Sequence, residues 1–292
     1  MSRDTKSELV QLRAKRMTRG PKEEEQYDLA RIKDIASRYR ERLGAEGSAH
    51  VVAISGGADS TYMTLQLLRR FPEREWLLFC TPTGDEYADM VAHWERLECI
   101  FKQPIERVRN RNMDFWIRFF NALPNWRSRW CARLLKIVPC HALLALLGDA
   151  YLYVGLRADE EEREGVIYGG AVQERYPLRE WGVTRADVIG GLRNAGISIP
   201  KRTDCRMCFW QRIGEWYDLW VRDPAGFQAA VDHEHRTGRT LLSPGKFTNW
   251  PSDLKSMREE FIRGRIPRGT STVQGELFSD DQTENSCRLC RL

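Results

Sequence analysis

The short apolar run Val51-Val52-Ala53-Ile54 passes straight into Ser55-Gly56-Gly57-Ala58-Asp59-Ser60, and a helical pattern from Tyr62 to Arg70 follows. No other stretch limits the possible folds as tightly. A buried strand that turns through glycines into a helix is half of a βαβ unit. The glycines let backbone N–H groups approach an anion closely, and the helix start aims its positive end at the same point. Ser55 and Ser60 add hydroxyl donors. Asp59 can hold Mg2+ or position the phosphate-binding backbone. The loop lacks the Gly-Lys-Ser/Thr of a Walker A loop and the Gly-x-Gly-x-x-Gly of a dinucleotide fingerprint.

The pattern continues along the chain. Trp76 to Cys80 is a second strand, followed by the polar loop Thr81-Pro82-Thr83-Gly84-Asp85-Glu86 and a helix from Tyr87 to Phe101. Ile105 to Val108 is a weak third strand, Ile137 to Leu147 a helix and Ala150 to Val154 a further strand. Alternating strands and helices predict a parallel α/β sheet with helices on both faces. Ahead of it, residues 1–48 form a charged helical segment, with apolar positions Leu29, Ile32, Ile35, Ala36, Tyr39 and Leu43 at helical spacing. The expected organisation is this segment, a nucleotide-binding core over 49–170, a helical C-terminal region over 171–266 and a flexible tail over 267–292.

A net charge of +5 and a pI near 8.8 permit nucleic-acid or nucleotide partners without requiring them. No apolar run approaches the roughly 20 residues of a membrane span. Met1 to Arg19 is charged and carries no signal-peptide pattern, so a cytoplasmic protein without a membrane partner is expected. In that compartment the eight cysteines are not a disulfide framework. Four of them form Cys205-x-x-Cys208 and Cys287-x-x-Cys290, which points to metal, an iron–sulfur cluster or redox chemistry. Cys80 and Cys99 read as core residues.

Several motifs, in order, resemble one known group. Ser55 to Ser60 is similar to the PP-loop of the N-type ATP pyrophosphatases. Thr83-Gly84-Asp85-Glu86 resembles the Thr-Gly loop of their phosphoadenylylsulfate (PAPS) reductase branch. Arg129-Trp130-Cys131-x-Arg133-x-x-Lys136-Ile137-x-Pro139 and Gly155-Leu156-Arg157-x-x-Glu160-x-x-Arg163 resemble its next two motifs. The Arg-Trp-Cys form is closest to the sulfur-incorporation proteins of DNA phosphorothioation and their phage-borne relatives. The Gly-Leu-His ending of the sulfonucleotide reductases is missing, and Glu161 stands where the branch usually has Ser.

The resemblance implies an adenine-nucleotide α-hydrolase type of sheet and cleavage of ATP between its α and β phosphates. It implies that Ser55, Gly56, Gly57, Asp59, Ser60, Thr83 and Gly84 bind the nucleotide, with Mg2+. Asp59, Lys136, Arg157 and Arg163 would be catalytic, the three cations through phosphate contact. It also implies a 4Fe–4S cluster on Cys131, Cys205, Cys208 and a fourth cysteine, for which Cys287 is the choice and Cys290 and Cys140 the reserves. Zinc is the alternative metal.

Between Arg107 and Lys136, arginines alternate with Trp116, Phe119, Phe120, Trp126 and Trp130. Arginine forks and stacking rings suit a DNA or RNA substrate. The helical spacing of Trp116, Phe119 and Phe120 suits a core face instead. His233 and His235 read as surface residues. The leading reading is an ATP pyrophosphatase that adenylates a substrate for sulfur transfer in nucleic-acid modification. Its partners would be ATP or AMP, the nucleic acid and a sulfur donor such as a cysteine desulfurase. The alternatives are a thiol-dependent PAPS reductase and a non-catalytic nucleotide-sensing subunit of a DNA-modification or defence complex.

Overall fold

The structure is a computed structural model that describes residues 28–44, 47–108, 111–160, 162–163, 165–242 and 249–268. Its sheet has five parallel strands in the order β3-β2-β1-β4-β5. They are β1 (Ala49–Ala53), β2 (Leu77–Cys80), β3 (Ile105–Arg107), β4 (Ala150–Tyr153) and β5 (Val172–Arg175). Side chains alternate across a strand, so each strand feeds both faces. Val51, Leu77, Phe79 and Leu152 join one core with α1 (Leu29–Leu43) and Cys140, Leu143, Leu144 and Leu147. Val52, Leu78, Cys80 and Tyr153 join the other with α2 (Ala58–Arg70), α3 (Ala88–Phe101), α6 (Pro177–Glu180) and α7 (Arg185–Asn194). The expected parallel sheet covered on both faces is what forms.

Helix α1 is amphipathic and capped by Asp28, whose carboxylate accepts from Arg31 N. Arg31 and Arg38 both reach the buried Glu106 of β3, at 2.8 and 2.9 Å. The residues before position 28 lie outside the described part of the chain. So does everything after 268, including the expected tail with Cys287 and Cys290.

Three elements differ from the sequence reading. The helix expected from Ile137 begins earlier and runs Trp130–Leu147, here α5. Residues Arg133–Ile137 form a π-turn, in which Val138 N–H donates to Arg133 O. Pro139 explains it: proline has no N–H for an α-helical bond, and its ring would press on the preceding turn, so the helix widens there. At 18 residues α5 is long and apolar enough to cross a membrane by length and composition, contrary to the reading that no such run exists. Half of it or more is buried within the fold, as a core helix is. The sheet also does not end at residue 170, because β5 lies beyond it and pairs with β4 in parallel. Finally, Ala58-Asp59-Ser60 are the first turn of α2 rather than loop.

A third core lies beyond the strand ends. It joins α4 (Met113–Phe120), the start of α5, the Cys205–Cys208 turn, α8 (Ile213–Arg222), α9 (Pro224–Thr237) and α10 (Leu254–Ile262). Trp116 and Trp216 are fully buried in it, whereas Phe119 is 47% exposed and not a core residue. His233, read as surface, is buried with Nε2 3.3 Å from Asp114. Cys99 is exposed on α3 rather than packed.

The fold should be acid-sensitive. Burial, with Arg74 nearby, holds His50 at about 4, and burial, with Arg96 nearby, holds His93 at about 4. Free histidine titrates near 6.5. Between these values the unfolded chain binds more protons than the folded one, so stability falls as pH drops through that window. Thermal melts across it should show a falling midpoint, with a shallower slope in the double variant His50→Gln, His93→Gln. An identical slope in that variant contradicts the assignment.

Candidate functional site

The carboxyl ends of β1, β2 and β4 open onto a cavity of about 210 Å³. Ligands of open parallel sheets bind at this edge. The wall at β1 is the Ser55–Ser60 segment. Gly56 has φ +83°, a conformation that side chains rarely adopt, and a Cβ there would lie 2.1 Å from Met90 Cε and 2.8 Å from Trp94 Nε1. Trp94 Nε1 donates to Ser55 O at 3.1 Å, so α3 braces the turn from behind. Ser55 Oγ and Ser60 Oγ lie 3.0 Å apart, and Ser55 Oγ accepts from Gly57 N at 3.2 Å. No side chain caps the start of α2 at Gly57, which leaves its positive end to a ligand.

Asp59 is buried and accepts from Arg157 Nη1 at 2.7 Å. Burial raises its pKa, while the Arg157 guanidinium opposes the rise. Arg157 also bonds Asp159 at 2.9 Å, so its charge is shared between one carboxylate of the loop and one of its own segment. The two residues therefore face each other, an arrangement that positions the segment. Gly155 completes the contact, since a Cβ there would come within 3.0 Å of Ser60 N. Arg163 bonds Glu160 at 2.9 Å and lines the cavity. Arg179, which the sequence reading did not single out, donates to the carbonyls of Arg157, Glu160 and Arg163 and clasps that whole segment.

Ser55, Gly57, Asp59, Ser60, Thr83, Lys136 and Arg163 thus border one cavity. Gly56, Gly84 and Arg157 stand behind it. Lys136 comes from the π-turn of α5. The far wall is apolar: Phe79, Ile137, Leu152, Val154 and Tyr168, with Cys80 and Cys140 among them. Such a wall suits a planar base, and the opposite one suits phosphates. Burial pushes the Cys140 thiol up to about 12, against a hydrogen bond with Tyr168. Glu86 of the Thr83–Glu86 motif also lines the cavity, as do Thr203 and Tyr168, which have no distinct sequence signal of their own.

The thiols adjoin the same space. Cys205 lines the cavity, and Cys131 and Cys208 are buried beside it in the third core. A hydrogen bond with Cys208, then burial, raises Cys205 well above an ordinary thiol. Burial pushes Cys131 up to about 12, Cys208 adds to it, and Lys136 and Arg129 act against it. The Cys205–Cys208 turn is stapled to the Thr83–Glu86 loop. Cys205 forms an antiparallel bridge with Glu86, Arg206 N donates to Asp85 O at 2.8 Å and Met207 N to Asp85 Oδ2 at 2.8 Å. The Arg206 guanidinium reaches both Asp85, at 3.1 Å, and Asp223, at 2.8 Å. Among the described residues no three His, Cys, Asp or Glu side chains are arranged to hold a single metal ion. Cys208 is nonetheless near enough to Cys131 and Cys205 to raise the pKa of both. Cys287, the fourth expected ligand, lies outside the described residues.

In the aromatic and basic stretch, Arg107 pairs with Glu98 and Arg118 with Asp114. Trp126 is 56% exposed, with Arg127 over its ring at 4.7 Å. Met113 N donates to Thr83 O at 2.9 Å, so α4 starts beside the cavity's Thr-Gly loop.

No curated protein sequence matches the chain. Among solved structures it is similar to a PAPS reductase from Candida auris in a phosphate complex, at 10% identity over 57% of this chain and 81% of that one, TM-score 0.42. It is similar to the NH3-dependent NAD synthetase of Campylobacter jejuni, at 16% identity over 82% and 98%, TM-score 0.35. It is also similar to the U34-tRNA thiolase NcsA of Methanococcus maripaludis with its [4Fe–4S] cluster, at 16% identity over 90% and 88%, TM-score 0.40. The family model described as the phosphoadenosine phosphosulfate reductase domain matches residues 49–168, the stretch that holds β1 to β4 and most of the cavity wall. Residues 49–168 of this chain are thus similar to a phosphoadenosine phosphosulfate reductase domain.

Proposed function

We propose that the protein is an ATP pyrophosphatase that adenylates a substrate and thereby prepares it for sulfur transfer, with nucleic acid as the acceptor. One observation carries this reading: the phosphate-loop wall and a thiol, Cys205, border the same cavity. A substrate oxygen attacks the α phosphorus of ATP, the α–β bridge breaks, and pyrophosphate leaves with the bridging electrons. The amides at the start of α2 and the hydroxyls of Ser55 and Ser60 hold the departing phosphates. Lys136 and Arg163 offset their charge. Asp59 and Arg157 keep the segment in register, and Mg2+ arrives as the counter-ion of the nucleotide. The exposed Trp126–Arg127 pair and the neighbouring arginines supply stacking and phosphate contacts for a nucleic acid.

Cys131, Cys205, Cys208 and Cys287 are the residues that would hold a 4Fe–4S cluster, whose chemistry is to bind and present sulfur. Lys136 and Arg129 act on Cys131 and would supply positive charge to an anionic group held there. A sulfonucleotide reductase is the second reading, favoured by the family model that matches residues 49–168; its nucleophile would be Cys287 or Cys290.

Anaerobic purification tests both readings together. The expected result is iron with acid-labile sulfide, and AMP with pyrophosphate formed from ATP. Truncation after Ser286 should lower the iron content, because ligation needs the thiolate fixed at the cluster. Zinc without sulfide would replace the cluster by a zinc site. PAPS-dependent sulfite release without AMP formation from ATP would establish the reductase instead.

A further inference from the structure

Two carboxylates line the cavity, and they are balanced differently. Asp59 has a guanidinium against it, Arg157 Nη1 at 2.7 Å. Glu86 is held by neutral groups of its own loop. Its carboxylate accepts from Thr83 N, from Thr83 Oγ1 at 2.7 Å and from Gly84 N at 3.0 Å. Among the described residues no Lys, Arg or His side chain forms an ion pair with it. Gly84 makes this possible with φ +76°, which turns its N–H inward, and a Cβ there would meet Asn112 Cβ at 2.5 Å. The bridge from Glu86 to Cys205 fixes the loop from the other side.

Two consequences follow. The donors with which the Thr83–Gly84 turn could receive an anion are occupied by the chain's own carboxylate. The negative charge also stays in a space of about 210 Å³, where a second anionic group on a ligand cannot leave its field.

We infer that Glu86 is a specificity-determining residue, which makes this cavity select adenosine 5′-phosphates over nucleotides that carry a second anionic group, such as a 3′-phosphate. The inference rests on the reading that the cavity takes an adenine nucleotide. The selection works by exclusion: the 5′-phosphates have the Ser55–Ser60 segment, Lys136 and Arg163, and a further phosphate meets Glu86. Replacement by glutamine keeps the size and one acceptor oxygen but removes the charge.

The test is calorimetry on the full chain with AMP and with 3′-phosphoadenosine 5′-phosphate as probes, at one ionic strength. Wild-type protein is expected to prefer AMP by at least about tenfold, the scale of one unfavourable charge contact. In Glu86→Gln and in Glu86→Ala that ratio should fall to within about threefold, with melting curves confirming that each variant is folded. A wild-type preference for the doubly phosphorylated probe overturns the inference, and so does an unchanged ratio in a folded variant. If wild-type protein binds neither probe, the nucleotide reading itself fails and takes the inference with it. If both bind equally in wild type, only the role of Glu86 fails.

Discussion

Replacing Gly56 by valine is expected to lower adenine-nucleotide affinity by about 100-fold or more while the sheet still forms. The estimate combines two costs. A β-branched residue at φ +83° is strained by about 1–2 kcal/mol. Its Cβ would also overlap Met90 and Trp94, so the turn must swing away from α3. The Ser55 carbonyl then loses Trp94 Nε1, and the amides that converge on the cavity lose their common direction. Each hydrogen bond to a charged ligand is worth about 1.5–3 kcal/mol, and every 1.4 kcal/mol is about tenfold, so two misaligned donors suffice. Gly57 offers the contrast. With φ −71° it sits in ordinary backbone, and Gly57→Ala should cost less than about tenfold. Calorimetry with AMP on both variants, beside their melting curves, decides the matter. Equal losses at the two positions would show that strain and overlap at Gly56 are not what shapes the loop.

The second large effect concerns stability. Arg157→Met removes the guanidinium from Asp59 and leaves a buried carboxylate without its counter-ion. Breaking one side of a buried pair costs about 3–5 kcal/mol, more than deletion of an ordinary surface charge by several-fold. The melting midpoint should drop by about 6–20 °C, given about 2–4 °C per kcal/mol for a chain of this size. Asp59 then has burial raising its pKa with only the smaller effect of the Arg163 guanidinium opposing it. Protonation relieves the penalty, so the variant should recover part of its lost stability as pH falls towards the carboxylate range. Adding Asp59→Asn to Arg157→Met should restore stability in part, because a neutral amide tolerates the site better. A double variant as unstable as the sum of the two single ones would mean that the pair does not act as a unit.

Much of the sheet was legible because its strands are buried on both faces and so read as unbroken apolar runs, as Leu77-Leu78-Phe79-Cys80 does. Strand β5 is different. Val172-Gln173-Glu174-Arg175 lies at an edge, half exposed, and its placement depends on pairing with β4 rather than on its own composition. The early start of α5 was hidden by Pro139, which ordinarily marks a helix boundary but here sits just after a π-turn. The phosphate loop was legible as a motif, yet the sequence does not say which of two adjacent glycines carries the positive φ. Nor does it say that Arg157, nearly a hundred positions from Asp59, would turn towards that carboxylate rather than towards a ligand. The stapling of Asp85 to Arg206 and the burial of His233 against Asp114 are likewise tertiary contacts that no local pattern announces.

The third core draws Cys131 from the start of α5 and Cys205 and Cys208 from a turn that follows β5 and α7. During synthesis the strands β4 and β5 emerge between them. Cys131 is therefore an isolated thiol while the ribosome makes the rest of the sheet, and it gains its neighbours only when the last third of the chain has docked. A contact set of this kind forms late, because the closure of a long intervening segment precedes any gain from it. Truncated or stalled chains that end before residue 205 would carry a complete phosphate loop but neither Cys205 nor Cys208 beside Cys131, so the nascent protein cannot assemble this thiol group ahead of its fold.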